Sequence, residues 1–160
     1  MAASQGPGPP PAAGRIAVGV DGSPGSRAAL RWALGEALAR GLALHAVIAW
    51  EFPPESSFGD MDPVDDFRPV VAAEETLAAV LGDAGVSATD ETVTSAALEG
   101  HPAEVLLKVA EDSQLLVVGS RGHGTIVGAL LGSVSQYVAA HADCPVVVIK
   151  APASGALRAR

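Results

Sequence analysis

The sequence holds a single cysteine, Cys144, in 160 residues. That excludes an internal disulfide and fits a reducing compartment. Aromatic residues make up only 4% of the chain although hydrophobic residues reach 49%. The core must therefore be built from Val, Leu, Ile and Ala, the composition of a parallel sheet covered on both faces. Positive charge is scarce as well: 10 Lys and Arg stand against 18 Asp and Glu, a net charge of −8. This argues against general affinity for nucleic acid or an anionic membrane. No apolar run approaches the ~20 residues of a membrane span, and the N-terminus lacks the basic and apolar regions of a signal peptide. The expectation is a single soluble, cytoplasmic domain.

Two nucleotide fingerprints are missing too. No lysine lies between Gly119 and Pro145, so the G-x4-G-K-[ST] loop is excluded. The first apolar run ends in Gly19-Val20-Asp21-Gly22, where a dinucleotide G-x-G-x-x-G would otherwise stand.

What the chain does contain is an alternation of short apolar runs and helical periodicities. Residues 1–14 are rich in Pro, Gly and Ala and read as a disordered tail. Arg15–Asp21 reads as a buried strand. Ser23 and Pro24 then supply an N-cap and a first helical residue, and Leu30, Leu34 and Leu38 carry the helix to about Arg40, where Gly41 stops it. A second strand spans Ala43–Trp50. The segment 51–67 is acidic and irregular, and is read as a solvated flap because it lacks the spacing of a calcium loop. A helix is expected over 68–81, ending at Gly82, then a strand over 91–98, a helix over 102–111 and a strand from Leu115. A helix over 133–140, a strand over 145–150 and a frayed tail over 151–160 complete the chain. The domain is thus 15–150. Such alternation predicts a doubly wound α/β fold with parallel strands and right-handed crossovers. A ligand then sits outside the carboxyl ends of the strands, where strand order reverses.

One stretch, Leu115 to Ser135, carries most of the functional signal. An apolar strand breaks at Gly119, and glycines recur at Gly122, Gly124, Gly128 and Gly132 before Ser133 opens a helix. Glycines let a backbone approach a ligand, and a helix start offers unpaired N–H groups, so the stretch predicts phosphate binding. Ser133 reads in two compatible ways. It forms an S-x-x-Q capping box with Gln136, or its hydroxyl and N–H join those of Val134 and Ser135 on a phosphate. Arg121, the loop's only cation, either neutralises phosphate or lies in solvent. His123 reads as exposed rather than catalytic, since no carboxylate is near it in sequence. Asp21 can accept from ribose hydroxyls or help hold a metal ion, or can form an Asx-turn with Ser23. Cys144 reads as a buried, inert thiol.

Three segments resemble the universal stress protein family in its nucleotide-binding branch: IAVGVDGSPGS, ALEGHPAEVLL and LLVVGSRGHG…LLGSVSQYVAAHADCPVVVIK. The G-x2-G-x9-G-[ST] pattern of that branch is intact at Gly119, Gly122, Gly132 and Ser133. The resemblance covers about Gly14 to Lys150. It implies a five-stranded parallel sheet in order 3-2-1-4-5, with helices on both faces as in adenine nucleotide alpha hydrolase-like folds. It also implies ATP (or ADP or AMP) between the first and fourth strands; whether Mg or Mn accompanies the nucleotide is left open by the sequence. Gly19 and Val20 would line the base pocket, Asp21 would hold the ribose, and the backbone of Ala49 would meet adenine. Gly119, Ser120, Arg121, Gly122 and His123, with Gly132, Ser133, Val134 and Ser135, would wrap ribose and phosphates. One departure is visible: Ile48 stands where related sequences often carry a histidine. The family commonly dimerises through the last strand, and Val146, Val147, Val148 and Ile149 would otherwise form an exposed apolar edge.

Three functions follow as expectations. The first is a cytoplasmic, non-enzymatic ATP-binding regulator of the stress response, compatible with slow intrinsic hydrolysis. The second is a hydrolase or adenylyl-transfer enzyme of the same superfamily, against which stands the lack of SGGxDS, HIGH and KMSKS elements. The third is a dimeric scaffold with a vestigial pocket, disfavoured by the intact glycine pattern.

Overall fold

The computed structural model describes residues 14–54, 68–123 and 130–152. Among these described residues nine elements follow in strict alternation: β1 (Arg15–Gly19), α1 (Pro24–Arg40), β2 (Ala43–Trp50), α2 (Pro69–Asp83), β3 (Val93–Glu99), α3 (Pro102–Glu111), β4 (Leu115–Gly119), α4 (Ser133–His141) and β5 (Val146–Ile149). All strand pairs are parallel and the sheet order is β3-β2-β1-β4-β5. The doubly wound order implied by the resemblance is the order found. β1 lies at the centre, with Val18 in register with Ala46 of β2 and Val117 of β4.

The two-residue alternation of the strands sorts the core into two layers. Ile16, Val18, Leu44, Ala46, Ile48, Leu115 and Val117 face α1 and α2, where they meet Ala29, Leu30, Ala33, Leu77 and Val80. Ala17, Val47, Leu116 and Val118 face the other way, against Val105, Leu106, Val109 and Val138 of α3 and α4. Ile16, Val18, Leu116 and Val117 are wholly buried. Each such aliphatic side chain contributes roughly 1.5–3 kcal/mol on burial. A core of this kind needs no aromatic residues.

Helix ends follow local chemistry. Ser23 caps α1, accepting from Ser26 N–H, with Pro24 at the first helical position, and Gly41 terminates it in the left-handed conformation at φ 64°. Several boundaries differ from the expectations. β1 ends at Gly19 rather than Asp21, because Asp21 already turns toward α1. α2 runs through Gly82 to Asp83; the reversal is made by Gly85 at φ 79°, so Gly82 acts as an ordinary helical residue. β3 starts two residues late, after an Asp90–Thr92 turn in which Asp90 Oδ1 accepts from Thr92 N–H at 2.9 Å. The N-terminal tail through residue 13, segment 55–67, Gly124, Gly128 and residues 153–160 lie outside the described residues. No helix among the described residues is long and apolar enough to cross a membrane.

Candidate functional site

β1 and β4 are neighbours, yet their crossover helices leave on opposite faces, so their carboxyl ends diverge. In that divergence lies a cavity of about 580 Å³, within the usual size of a small-molecule site. Its walls come from the ends of β1, β2 and β4 and from the starts of α1, α3 and α4.

At the β1 end the loop is held by a local network. Asp21 Oδ1 accepts from Ser23 N–H at 2.9 Å and from the Ser23 hydroxyl, so the Asx-turn is present. Asp21 N–H donates to Ser26 Oγ at 3.2 Å, and Ser26 Oγ–H donates to the Ser23 carbonyl at 3.1 Å. These bonds occupy Oδ1 and aim Oδ2 toward the β4 loop, where a Cβ on Gly122 would stand only 2.5 Å away. The turn and a ligand contact through Oδ2 are therefore compatible.

At the β4 end, Ser120 N–H donates to Ile149 O at 2.7 Å, and Ser120 O accepts from Gly132 N–H at 2.6 Å and from Ser135 Oγ at 3.0 Å. Ser120 is buried and, unlike the other expected residues, does not line the cavity. Its part is to pin the base of the glycine loop to the start of α4.

The expected capping box at Ser133 is not formed. Gly132 is the N-cap (φ −72°, ψ 165°) and Ser133 is the first helical residue. Gln136 Nε2 donates instead to Leu131 O at 3.2 Å. Ser120 O holds Gly132 N–H, and the cap falls on Gly132, one residue before the serine. Gly132 brings no side-chain cap, and the first helix-closing bond runs from Gln136 N–H to Gly132 O at 3.0 Å. Helix geometry thus leaves the N–H groups of Ser133, Val134 and Ser135 without intrahelical acceptors. All three residues line the cavity. The Ser135 hydroxyl is committed to Ser120 O and Gly132 O, so that residue has only its N–H to offer.

β2 contributes backbone. Val20 N–H donates to Val47 O at 2.8 Å, the last rung toward β1, while Gly100 N–H donates to Trp50 O on the β3 side. In a parallel ladder the N–H and C=O of one residue point the same way, and residues two apart share that direction. Ala49 therefore presents one donor and one acceptor toward the cavity it lines. Ile48, where related sequences often carry histidine, faces the α1–α2 core instead.

Of the residues expected from sequence, Gly19, Val20, Asp21, Ala49, Gly119, Arg121, Gly122, His123, Gly132, Ser133, Val134 and Ser135 all line this one cavity. His123 is exposed, and its Nε2 lies 2.8 Å from Asp21 O, a partner 102 positions away that no local reading could supply. Arg121 is exposed at the mouth. Sequence reasoning missed Ser23, Ser26, Val47, Pro102, Leu106, Val118, Leu131 and Gln136 as lining residues. Strand alternation from Ala49 would have found Val47. Nothing local marks Leu106, which arrives through the crossover of α3. Cys144 is half-exposed rather than buried, although partial burial still raises its thiol above the usual value. Among the described residues no group of three or more His, Cys, Asp or Glu stands together as a metal-ligand set.

Comparison with known proteins agrees with this architecture. Residues 13–150 match the family model of the universal stress protein family. The universal stress protein Rv2623 of Mycobacterium tuberculosis (strain H37Rv) is 36% identical over 143 residues, covering 89% of this chain and 47% of that protein. The chain thus spans about half the length of the curated relatives it matches. Among solved structures, a universal stress protein in complex with cAMP aligns at 27% identity with a TM-score of 0.60, covering 87% of this chain and 98% of that one. UspA from Lactobacillus plantarum aligns at 22% identity with a TM-score of 0.68, covering 86% and 97%, a likeness of fold.

Proposed function

The chain belongs to the universal stress protein family, and from that premise we propose that it is a cytoplasmic regulatory protein holding an adenine nucleotide between β1 and β4. The observation that carries this reading is the uncapped start of α4. Three residues whose N–H groups have no helical acceptor, Ser133, Val134 and Ser135, line a cavity that Arg121 also borders. That is the donor set an anionic phosphate requires. Ala49 supports the base assignment: its outward N–H and C=O complement the N1 acceptor and the amino donor of adenine. Guanine presents the opposite pattern at those positions. Asp21, whose Oδ1 is held by the Ser23 turn, would accept from ribose hydroxyls through Oδ2. The related protein in complex with cAMP supports the same class of ligand.

Holding rather than turnover is the reading we favour. His123 Nε2 contacts a main-chain carbonyl, and the Asp21–Ser23 hydroxyl pair closes the turn that caps α1, so we read both contacts as holding the loops rather than activating a nucleophile. ATP is the proposed nucleotide, with ADP and AMP as its lower-charge forms. Any Mg or Mn would be carried in with the phosphates. A homodimer through β5 completes the proposal: β5 ends the sheet, and Val146–Ile149 are only half-buried along it.

Mass analysis of nucleotide that co-purifies with the protein, followed by calorimetry with ATP, ADP and AMP, tests the reading. Binding of at least one is expected. Absence of binding by all three overturns it, and turnover above roughly one per second, the low end of ordinary enzymes, would favour the enzymatic alternative.

A further inference from the structure

Two buried serines, Ser23 and Ser26, line the β1 side of the cavity. Either hydroxyl would serve a ligand as a donor, but their hydrogen bonds exclude it. A hydroxyl carries one hydrogen. Ser23 Oγ accepts from Ser26 N–H at 3.3 Å, and its own hydrogen goes to Asp21 Oδ1. Ser26 Oγ accepts from Asp21 N–H at 3.2 Å, and its hydrogen goes to the Ser23 carbonyl at 3.1 Å. Neither serine has a hydrogen left for a ligand, so the influence of Ser23 on binding passes through Asp21.

Asp21 is held from two directions. Gly22, at φ 81°, makes the reversal that brings Ser23 back over it. Oδ1 then accepts both from Ser23 N–H, at 2.9 Å, and from the Ser23 hydroxyl. Two donors on one oxygen oppose rotation of the carboxyl group about its last side-chain bond, where a single donor would act as a pivot. On the other side, Oδ2 lies 2.5 Å from where a Cβ on Gly122 would stand, so it rests against the main chain of the β4 loop. Asp21 is itself exposed, and without the Ser23 hydroxyl its carboxyl group would be free to turn toward water. Oδ2 is the side-chain acceptor that remains for a ligand.

We propose that Ser23 is a positioning residue for sugar recognition: its hydroxyl sets Asp21 Oδ2 against a ribose hydroxyl and makes the site prefer a ribonucleotide over the same nucleotide lacking that hydroxyl. The proposal rests on the nucleotide reading above. Ser23 performs two tasks with one side chain, and they are separable. As the N-cap of α1 its oxygen accepts from Ser26 N–H, and glycine serves at an N-cap nearly as well as serine, whereas alanine does not. As the donor to Asp21 its hydrogen has no counterpart in either glycine or alanine.

The test is calorimetry with AMP, 2′-deoxy-AMP and 3′-deoxy-AMP on the unmutated protein, Ser23→Gly, Ser23→Ala and Asp21→Ala, with urea unfolding of each. The unmutated protein should bind AMP about tenfold more tightly than at least one deoxy form, the order of a lost hydrogen bond to a charged acceptor. Asp21→Ala should abolish that preference. Ser23→Gly and Ser23→Ala should both cut it by about threefold to fivefold, through weaker binding of AMP rather than tighter binding of the deoxy form. Their stabilities should differ, with Ser23→Gly close to the unmutated protein and Ser23→Ala below it. An equal fall in preference at unequal stability is what a cap alone would not produce. The proposal is overturned by a preference that survives in Ser23→Gly, by one that falls only in Ser23→Ala in step with its stability, or by equal losses for AMP and the deoxy form. AMP binding with no preference over either deoxy form overturns it together with the ribose role of Asp21 and leaves the nucleotide reading standing. Binding of none of the three probes to the unmutated protein overturns both.

Discussion

Gly25 and Gly119 meet backbone to backbone: a Cβ on Gly119 would stand 2.7 Å from the carbonyl carbon of Gly25 and 2.9 Å from the amide nitrogen of Ser26. The first turn of α1 is thereby laid directly on the end of β4. This contact sets the spacing between the two loops that border the cavity. Gly119 thus lacks a side chain because α1 needs the space, whatever the ligand does. The atoms in the way are main chain and cannot rotate aside, so Gly119→Ala should lower stability by about 1–3 kcal/mol, the usual cost of an overpacked contact. It should also weaken AMP binding by parting the β1 and β4 loops. Urea unfolding and calorimetry on the same preparation check both, and an unchanged unfolding midpoint would show that the junction yields without strain.

Gly35 provides the opposite case on the same helix. It lies mid-helix and exposed in α1, and a Cβ there would meet nothing within 4 Å. No packing or backbone demand keeps it glycine. Gly35→Ala should therefore stabilise the fold by about 0.5–1 kcal/mol through helix propensity and reduced freedom of the unfolded chain. Urea denaturation gives the sign directly, and nucleotide affinity should not move.

Gly122 is constrained by Asp21. A Cβ there would lie 2.5 Å from Oδ2 of a carboxylate whose other oxygen is already bound by Ser23. Gly122→Ala should thus weaken AMP by displacing either the loop or the carboxylate. A double-mutant cycle with Asp21→Ala separates this from simple blocking of ligand space. If the clash with Asp21 is the cause, Gly122→Ala should cost much less in an Asp21→Ala background. Equal costs in both backgrounds would place the harm in the ligand's own volume.

These contacts mark where local reading of the sequence stops. The alternation of apolar strands and periodic helices disclosed the element order, since each strand and helix declares its own period in its own residues. Ser23, Pro24 and Gly41 mark the ends of α1 for the same reason. The strand order came from resemblance to a family, because no local pattern says which strands are neighbours. Ser133 shows the limit well. Its S-x-x-Q pattern is a proper capping signal, but Ser120, thirteen positions earlier, holds Gly132, and the cap falls there, one residue before the serine. Likewise, nothing near His123 in the chain announces Asp21, nor does anything near Gly25 announce Gly119. Such pairings depend on the crossovers that bring β1 and β4 side by side.

His45 lies on β2 at the opposite end of the sheet from the cavity, with Nδ1 2.7 Å from Thr94 Oγ1. Burial, aided by the nearby positive charge of Arg15, lowers its pKa from 6.5 to about 4. The folded state therefore resists a proton that the unfolded chain accepts freely. The contribution to stability is fully present above about pH 6.5 and is lost progressively as the pH falls toward 4. Allowing for partial solvent access, the loss is on the order of 2 kcal/mol. Urea unfolding at about pH 7 and about pH 4.5 should show the unmutated protein losing more stability on acidification than His45→Gln, whose side chain keeps a polar partner for Thr94 without titrating. Parallel losses in the two proteins would mean that other groups carry the acid sensitivity and that His45 is hydrated enough to charge in place.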